Sequence, residues 1–144
     1  MRKCLIKRFF SVAMVLTLVL SMSSVAFAAS DTETATKNGY TLTGFVDYWG
    51  KDPSDGAAGE VYISASWSGN NVRGIYASGE VVDYLTGASL KTLSNNKANA
   101  TSVYAETFHN VPYTQRVTVY GCAEIRDSFS LVAYPTIYGT YGNA

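Results

Sequence analysis

The chain has 144 residues with eleven Lys+Arg against eleven Asp+Glu, yet Arg2, Lys3, Lys7 and Arg8 all precede the first acid, Asp31. Beyond residue 28 seven basic residues face eleven acidic ones, a net charge of −4. With no basic cluster there is no electrostatic footprint for a nucleic-acid partner or an anionic membrane surface, and roughly 115 residues suit one domain with one modest core.

Residues 1–28 have the three parts of a secretory signal peptide: a cationic start, an apolar run from Phe9 to Leu20, and small residues ending in Ala26-Phe27-Ala28. Small side chains at Ala26 and Ala28 suit a signal peptidase, which predicts cleavage before Ala29 and a secreted, extracellular protein. A stable membrane anchor is not expected, because a bilayer core takes about 20 apolar residues. This run is shorter and is diluted by Ser21, Ser23 and Ser24. Cys4 leaves with the leader, and Cys122 alone cannot close an internal disulfide.

Residues 29–39 are polar, Thr-rich and without periodicity, and read as a flexible N-terminal segment before a single β domain over 40–144. From Tyr40 onward β-branched and aromatic runs alternate with Gly, Asn, Asp and Pro, the pattern of strands and turns. In Glu60 to Trp67 the residues Val61, Ile63, Ala65 and Trp67 alternate with Glu60, Tyr62, Ser64 and Ser66, so one face is buried and the other wet. Ser68-Gly69-Asn70-Asn71 then predicts a hairpin into Val72 to Tyr84, where Gly74 and Gly79 suggest a bulge. Ser89 to Ala100 has room for a turn or two of helix around Leu90 and Leu93. A second hairpin is expected between Val103 to Phe108 and Gln115 to Ile125, placing Val103 and Ala105 beside Val119 and Val117. With strands at Tyr40 to Asp47 and Phe129 to Tyr138, this is an all-β chain: a small antiparallel β-sandwich or barrel of six to seven strands.

One histidine and one cysteine remain for chemistry beyond the leader. The expected hairpin puts His109 at its turn as an exposed residue and Cys122 about 30 Å away along the strand, too far for a Cys–His nucleophile. Neither supports a zinc site without further ligands. Asp52 and Asp55 in Lys51-Asp52-Pro53-Ser54-Asp55-Gly56 have the flavour of a calcium loop but lack its alternating oxygen ligands, and a solvated Asp/Pro/Gly turn is the simpler reading. No cofactor, no metal site and no catalytic residue is therefore assigned, and the protein is read as a non-enzyme.

Aromatic content stands out, with eleven Tyr and two Trp, all beyond the leader. Such rings serve a strand core, a sugar stack or a protein interface. Trp49, Tyr48, Tyr62 and Tyr138 are the candidate binding residues, led by Trp49 because a polar loop follows it; Trp67 belongs instead with Val61 and Ile63 in the core. The expected function is a secreted, non-catalytic protein whose Tyr/Trp-rich surface binds cell-envelope polysaccharide or a protein partner.

Ser102-Val103-Tyr104-Ala105 through Phe108-His109, followed by Arg116-Val117-Thr118-Val119, resembles the Ser/Tyr/His-bearing hairpin of small exported bacteriocins of the lactococcin 972 type, over under a fifth of the chain. The family's further histidine has no counterpart here, and no residue role is carried over. The resemblance supplies the alternative expectation, a secreted bacteriocin-like antibacterial or toxin-like effector.

Overall fold

The computed structural model describes residues 29–51 and 56–141; the expected signal peptide at 1–28 and the acidic pair Asp52 and Asp55 fall outside them. Among the described residues the chain is all-β, with no helix. Nine strands follow in order: β1 (Ala29–Lys37), β2 (Tyr40–Trp49), β3 (Gly59–Trp67), β4 (Val72–Asp83), β5 (Ser89–Ala100), β6 (Ser102–His109), β7 (Arg116–Arg126), β8 (Ser130–Ala133) and β9 (Thr136–Tyr141). Three differences raise the count above six or seven. The segment expected to be a flexible lead-in is β1, the segment offered a turn of helix is β5, and the last run is split at Tyr134-Pro135 into β8 and β9.

β1 forms because Asn38 and Gly39, both at positive φ, close a two-residue turn that returns the chain as β2 with Lys37 opposite Tyr40. β5 forms because β4 offers a free edge along nearly all its length, from Val72 opposite Ala100 to Val82 opposite Ser89. Ladder hydrogen bonds there outweigh a weak helical spacing of two leucines, of which only Leu93 is buried. The bulge expected in β4 lies at Val81/Val82.

The strands form two antiparallel sheets, one ordered β1-β2-β3-β6 and the other β5-β4-β7-β8, with β9 on the same edge of β7 as β8. β7 packs over β2 and β3, and β4 over β3 and β6. Between the sheets lies one apolar core built from alternate residues, including Leu42, Val46, Val61, Ile63, Ile75, Val81, Val117, Val119 and Ile125. The alternation read in Glu60 to Trp67 is observed, with Val61, Ile63, Ala65 and Trp67 all buried.

Both expected hairpins are absent. β3 and β4 belong to different sheets, and so do β6 and β7; β6 pairs with β3 and β7 with β4. Ser68 to Asn71 and Asn110 to Gln115 are therefore crossings from sheet to sheet, the second carrying Val111 into the core. Val103, Ala105, Val117 and Val119 do share one apolar core, but from opposite sheets. A period of two marks a buried face and does not say whether its partner lies beside it or across from it. The hairpin that carried the bacteriocin resemblance is lost with this correction.

Gly79 on β4 sets the close approach of the sheets, and its register partner Gly121 on β7 makes room for the chain between β8 and β9. A Cβ at Gly79 would collide with the Ile63 side chain, and one at Gly121 would lie 2.9 Å from Pro135 Cγ. Pro135 is fully buried, and its carbonyl accepts from Gly121 N at 2.8 Å. It both breaks the edge strand and fills the core. The two open seams are each pinned by a side chain: Asn95 Nδ2 donates to the Tyr104 carbonyl at 2.7 Å, and Asp31 Oδ2 accepts from Thr136 N at 2.7 Å.

Candidate functional site

Alternation along β2, β3 and β6 decides which side chains leave the sandwich through the β1-β2-β3-β6 sheet. Register places them in rows: Trp49, Glu60 and Phe108; then Asp47, Tyr62 and Glu106; then Phe45, Ser64 and Tyr104. The result is a checkerboard in which aromatic rings occupy the corners and centre while three carboxylates and one hydroxyl fill the positions between. Trp49, Tyr104 and Phe108 are at least half exposed, at 50, 53 and 66%. The Tyr62 ring stacks on Tyr104, with centroids 5.7 Å apart and planes 21° from parallel, and meets Phe45 tilted at 6.2 Å. These diagonal contacts keep the rings ordered on an otherwise open face.

Trp49 is held twice. Its indole Nε1 donates to Asp47 Oδ2 at 2.7 Å, and its carbonyl accepts from His109 Nε2 at 3.1 Å. His109 Nδ1 accepts from Val111 N at 3.3 Å, which fixes the neutral ring with its proton on Nε2. The imidazole is buried and lies flat on Tyr48, centroids 4.8 Å apart and planes within 3°. Gly59, its register partner, makes room: a Cβ there would sit 2.6 Å from Nε2 and 2.7 Å from the Trp49 carbonyl. Burial holds the His109 pKa below its ordinary value.

Beside the checkerboard, a groove of about 470 Å³ runs between the sheet face and the exposed edge of β5. Tyr62 and Tyr104 form its aromatic wall, Ser64, Ser66 and Ser102 offer hydroxyls, and Asn96 and Lys97 close it from β5. The outward side chains of β1, Ser30, Thr32, Thr34 and Thr36, extend the same face with hydroxyls.

The four residues singled out from sequence do not share a surface. Trp49 and Tyr62 stand on this face. Tyr48 does not: it is fully buried, because a residue next to Trp49 in a strand must point the other way. Its hydroxyl has no hydrogen-bond partner among the described residues, and burial pushes its pKa up to about 12. Tyr138 is 70% exposed but on the opposite sheet, edge-on to Tyr84 at 5.1 Å in a cluster with Arg116, whose guanidinium lies 4.0 Å from the Tyr84 ring centre. Phe45, Tyr104, Phe108 and Glu106 were not singled out from sequence, and Asp47 and Glu60 stood out only as clustered acids; the two-residue spacing of Phe45/Asp47/Trp49 and Tyr104/Glu106/Phe108 was the signal for the rings and for two of the acids.

His109 is a buried framework residue rather than an exposed turn residue. Cys122 faces outward from the other sheet, half-buried opposite Ser78, so that sheet separates it from the inward-facing His109. Burial and the Glu124 charge push the Cys122 thiol up, away from the reactive thiolate. Among the described residues no group of three or more His, Cys, Asp or Glu side chains is placed to hold a metal ion. Compared with family models, curated proteins and solved structures, the chain matches none, so its function is read from the chemistry of its faces.

Proposed function

We propose that the protein is secreted, through the signal peptide read at 1–28, and binds cell-envelope polysaccharide on the outer face of the β1-β2-β3-β6 sheet without catalysing a reaction. The observation that carries this reading is the alternation of five exposed or half-exposed rings with polar side chains on one face, beside a groove of hydroxyls and amides closed by Lys97. A pyranose has an apolar face, which stacks on a ring, and a rim of hydroxyls, which needs donors and acceptors in plane. Adjacent strands lie about 4.8 Å apart, on the order of the length of one sugar residue, so a glycan crossing the strands meets a new row element at each sugar. Glu60 and Glu106 stand on an open face, whereas a glycosidase sets its carboxyls across a cleft.

The test is affinity for immobilised cell-envelope polysaccharide. Trp49→Ala, Tyr62→Ala and Tyr104→Ala are each expected to weaken binding about tenfold or more at a true anchor, with the fold intact and no sugar released. Tyr138→Ala is expected to bind as the parent does. Unchanged binding by the triple variant of Trp49, Tyr62 and Tyr104 would overturn the reading.

A further inference from the structure

We propose that the polysaccharide taken by this face carries free amines, as a polymer of unacetylated hexosamine does when protonated at slightly acidic pH. The inference rests on the glycan-binding reading above and adds the ligand's charge. Three carboxylates surround the central ring: Asp47 and Glu106 are the cross-strand partners of Tyr62, and Glu60 lies two residues along its strand. None of the nine checkerboard positions, and none of the outward positions of β1, carries a basic side chain.

The wider distribution agrees. β2, β3 and β6 carry Asp47, Glu60 and Glu106 and no Lys or Arg, while Asp31, Glu33 and Lys37 of β1 sit at the inward register positions, away from this face. The other sheet carries Arg73, Lys91, Lys97, Arg116 and Arg126 against Glu80, Asp83 and Glu124, and there lies the one ion pair among the described residues, Arg126 with Glu124 at 2.7 Å. Lys91 and Lys97 line grooves along the β6 edge and form no ion pair with Glu60 or Glu106.

Glu60 stands diagonal to Asp47 and to Glu106, about 7 to 8 Å from each, and among the described residues no cation is ion-paired with any of the three, so they repel one another. A neutral glycan leaves that repulsion in place, and an anionic one adds to it. An ammonium over Tyr62 relieves it, gaining the ring by cation–π attraction and Glu60 and Glu106 as hydrogen-bonded counter-ions, with the Asp47 charge acting from beneath Trp49. Stacking on Trp49, Tyr104 and Phe108 then supplies the sugar-specific part of the contact.

The secreted protein is titrated calorimetrically with a β-1,4-linked glucosamine hexamer and with its fully N-acetylated counterpart, at slightly acidic pH in low and in high salt. The amine form is expected to bind about tenfold tighter or better, to weaken as salt rises, and to lose that preference in the Glu60→Gln/Glu106→Gln variant at an unchanged or raised thermal midpoint. Equal binding of the two hexamers would overturn the amine inference and leave the glycan reading standing. Binding of neither would overturn both, and binding of polylysine as tight as the glucosamine hexamer would do the same, because charge alone would then account for the affinity.

Discussion

The Trp49 indole is tied to Asp47 by a 2.7 Å hydrogen bond between residues two apart on the same outward face of β2. One short bond thus fixes the orientation of the largest exposed ring and places a negative charge beside it. The other Asp47 oxygen is buried and unpartnered among the described residues. Asp47→Ala is expected to free the indole, shift its fluorescence emission to the red and weaken glycan binding about three- to tenfold. Asp47→Asn keeps an acceptor for Nε1 and removes the charge. Its emission should match the parent's while its preference for the amine-bearing hexamer falls, which separates positioning from charge.

Tyr48→Phe tests the opposite face of the same strand. The hydroxyl is fully buried with no partner among the described residues, while the ring stacks on His109. An unmatched buried polar group costs about 1 to 3 kcal/mol, so its removal is expected to leave the thermal midpoint unchanged or raised and glycan binding unaltered. A clear fall in midpoint would show that the hydroxyl has a partner after all.

His109 is the one histidine of the chain, so stability between pH 7 and 5 reports largely on it. Its folded pKa lies below the ordinary 6.5, mainly through burial against Tyr48, with bonds to the Trp49 and Glu60 backbone opposing and Lys91 reinforcing the shift. A depressed value means the folded state favours the neutral ring. The contribution is therefore present above pH 6.5 and lost as pH falls through that value toward the folded one. The parent's thermal midpoint is expected to drop across this window. His109→Gln should start lower, having lost the stack and the hold on Trp49, and show a flat profile there.

Asp83 organises the turn between β4 and β5. One carboxylate oxygen accepts from Leu85 N, Thr86 N and Thr86 Oγ1, the other from Gln115 Nε2 at 2.8 Å. The Gln115 bond first, then those from Thr86, lower its pKa from 3.8 to about 2. The sign is that of a carboxylate favoured in its charged form: the contribution is present above about pH 4 and lost as pH falls toward 2. Asp83→Asn is expected to reduce stability at pH 7 and to shrink the difference from the parent as pH falls to 2. A constant difference would contradict this role.

Much of the β architecture was legible because alternation is a local signal. Val61, Ile63, Ala65 and Trp67 announce a buried face whatever lies opposite. Partners were not legible, since Val103 and Val119 look alike whether they pair in one sheet or meet across two. β1 was hidden by its composition, for an edge strand with one solvated face needs few apolar residues, and the Asn38-Gly39 turn was its real marker. The site was half legible. Trp49 and Tyr62 were named for their aromatic character, whereas parity would have excluded Tyr48 and supplied Phe45, Tyr104 and Phe108. Joining β2, β3 and β6 into one surface required the register of three strands distant in sequence.

Chemical-shift mapping of the isotope-labelled protein, titrated with the glucosamine hexamer, tests the binding face most directly. The account predicts shifts concentrated at Phe45, Trp49, Tyr62, Tyr104 and Phe108, including the Trp49 indole proton, with Tyr76, Tyr120 and Tyr138 on the opposite sheet unmoved. Saturable shifts centred on Tyr120 and Tyr138, with Trp49 and Tyr62 silent, would contradict it.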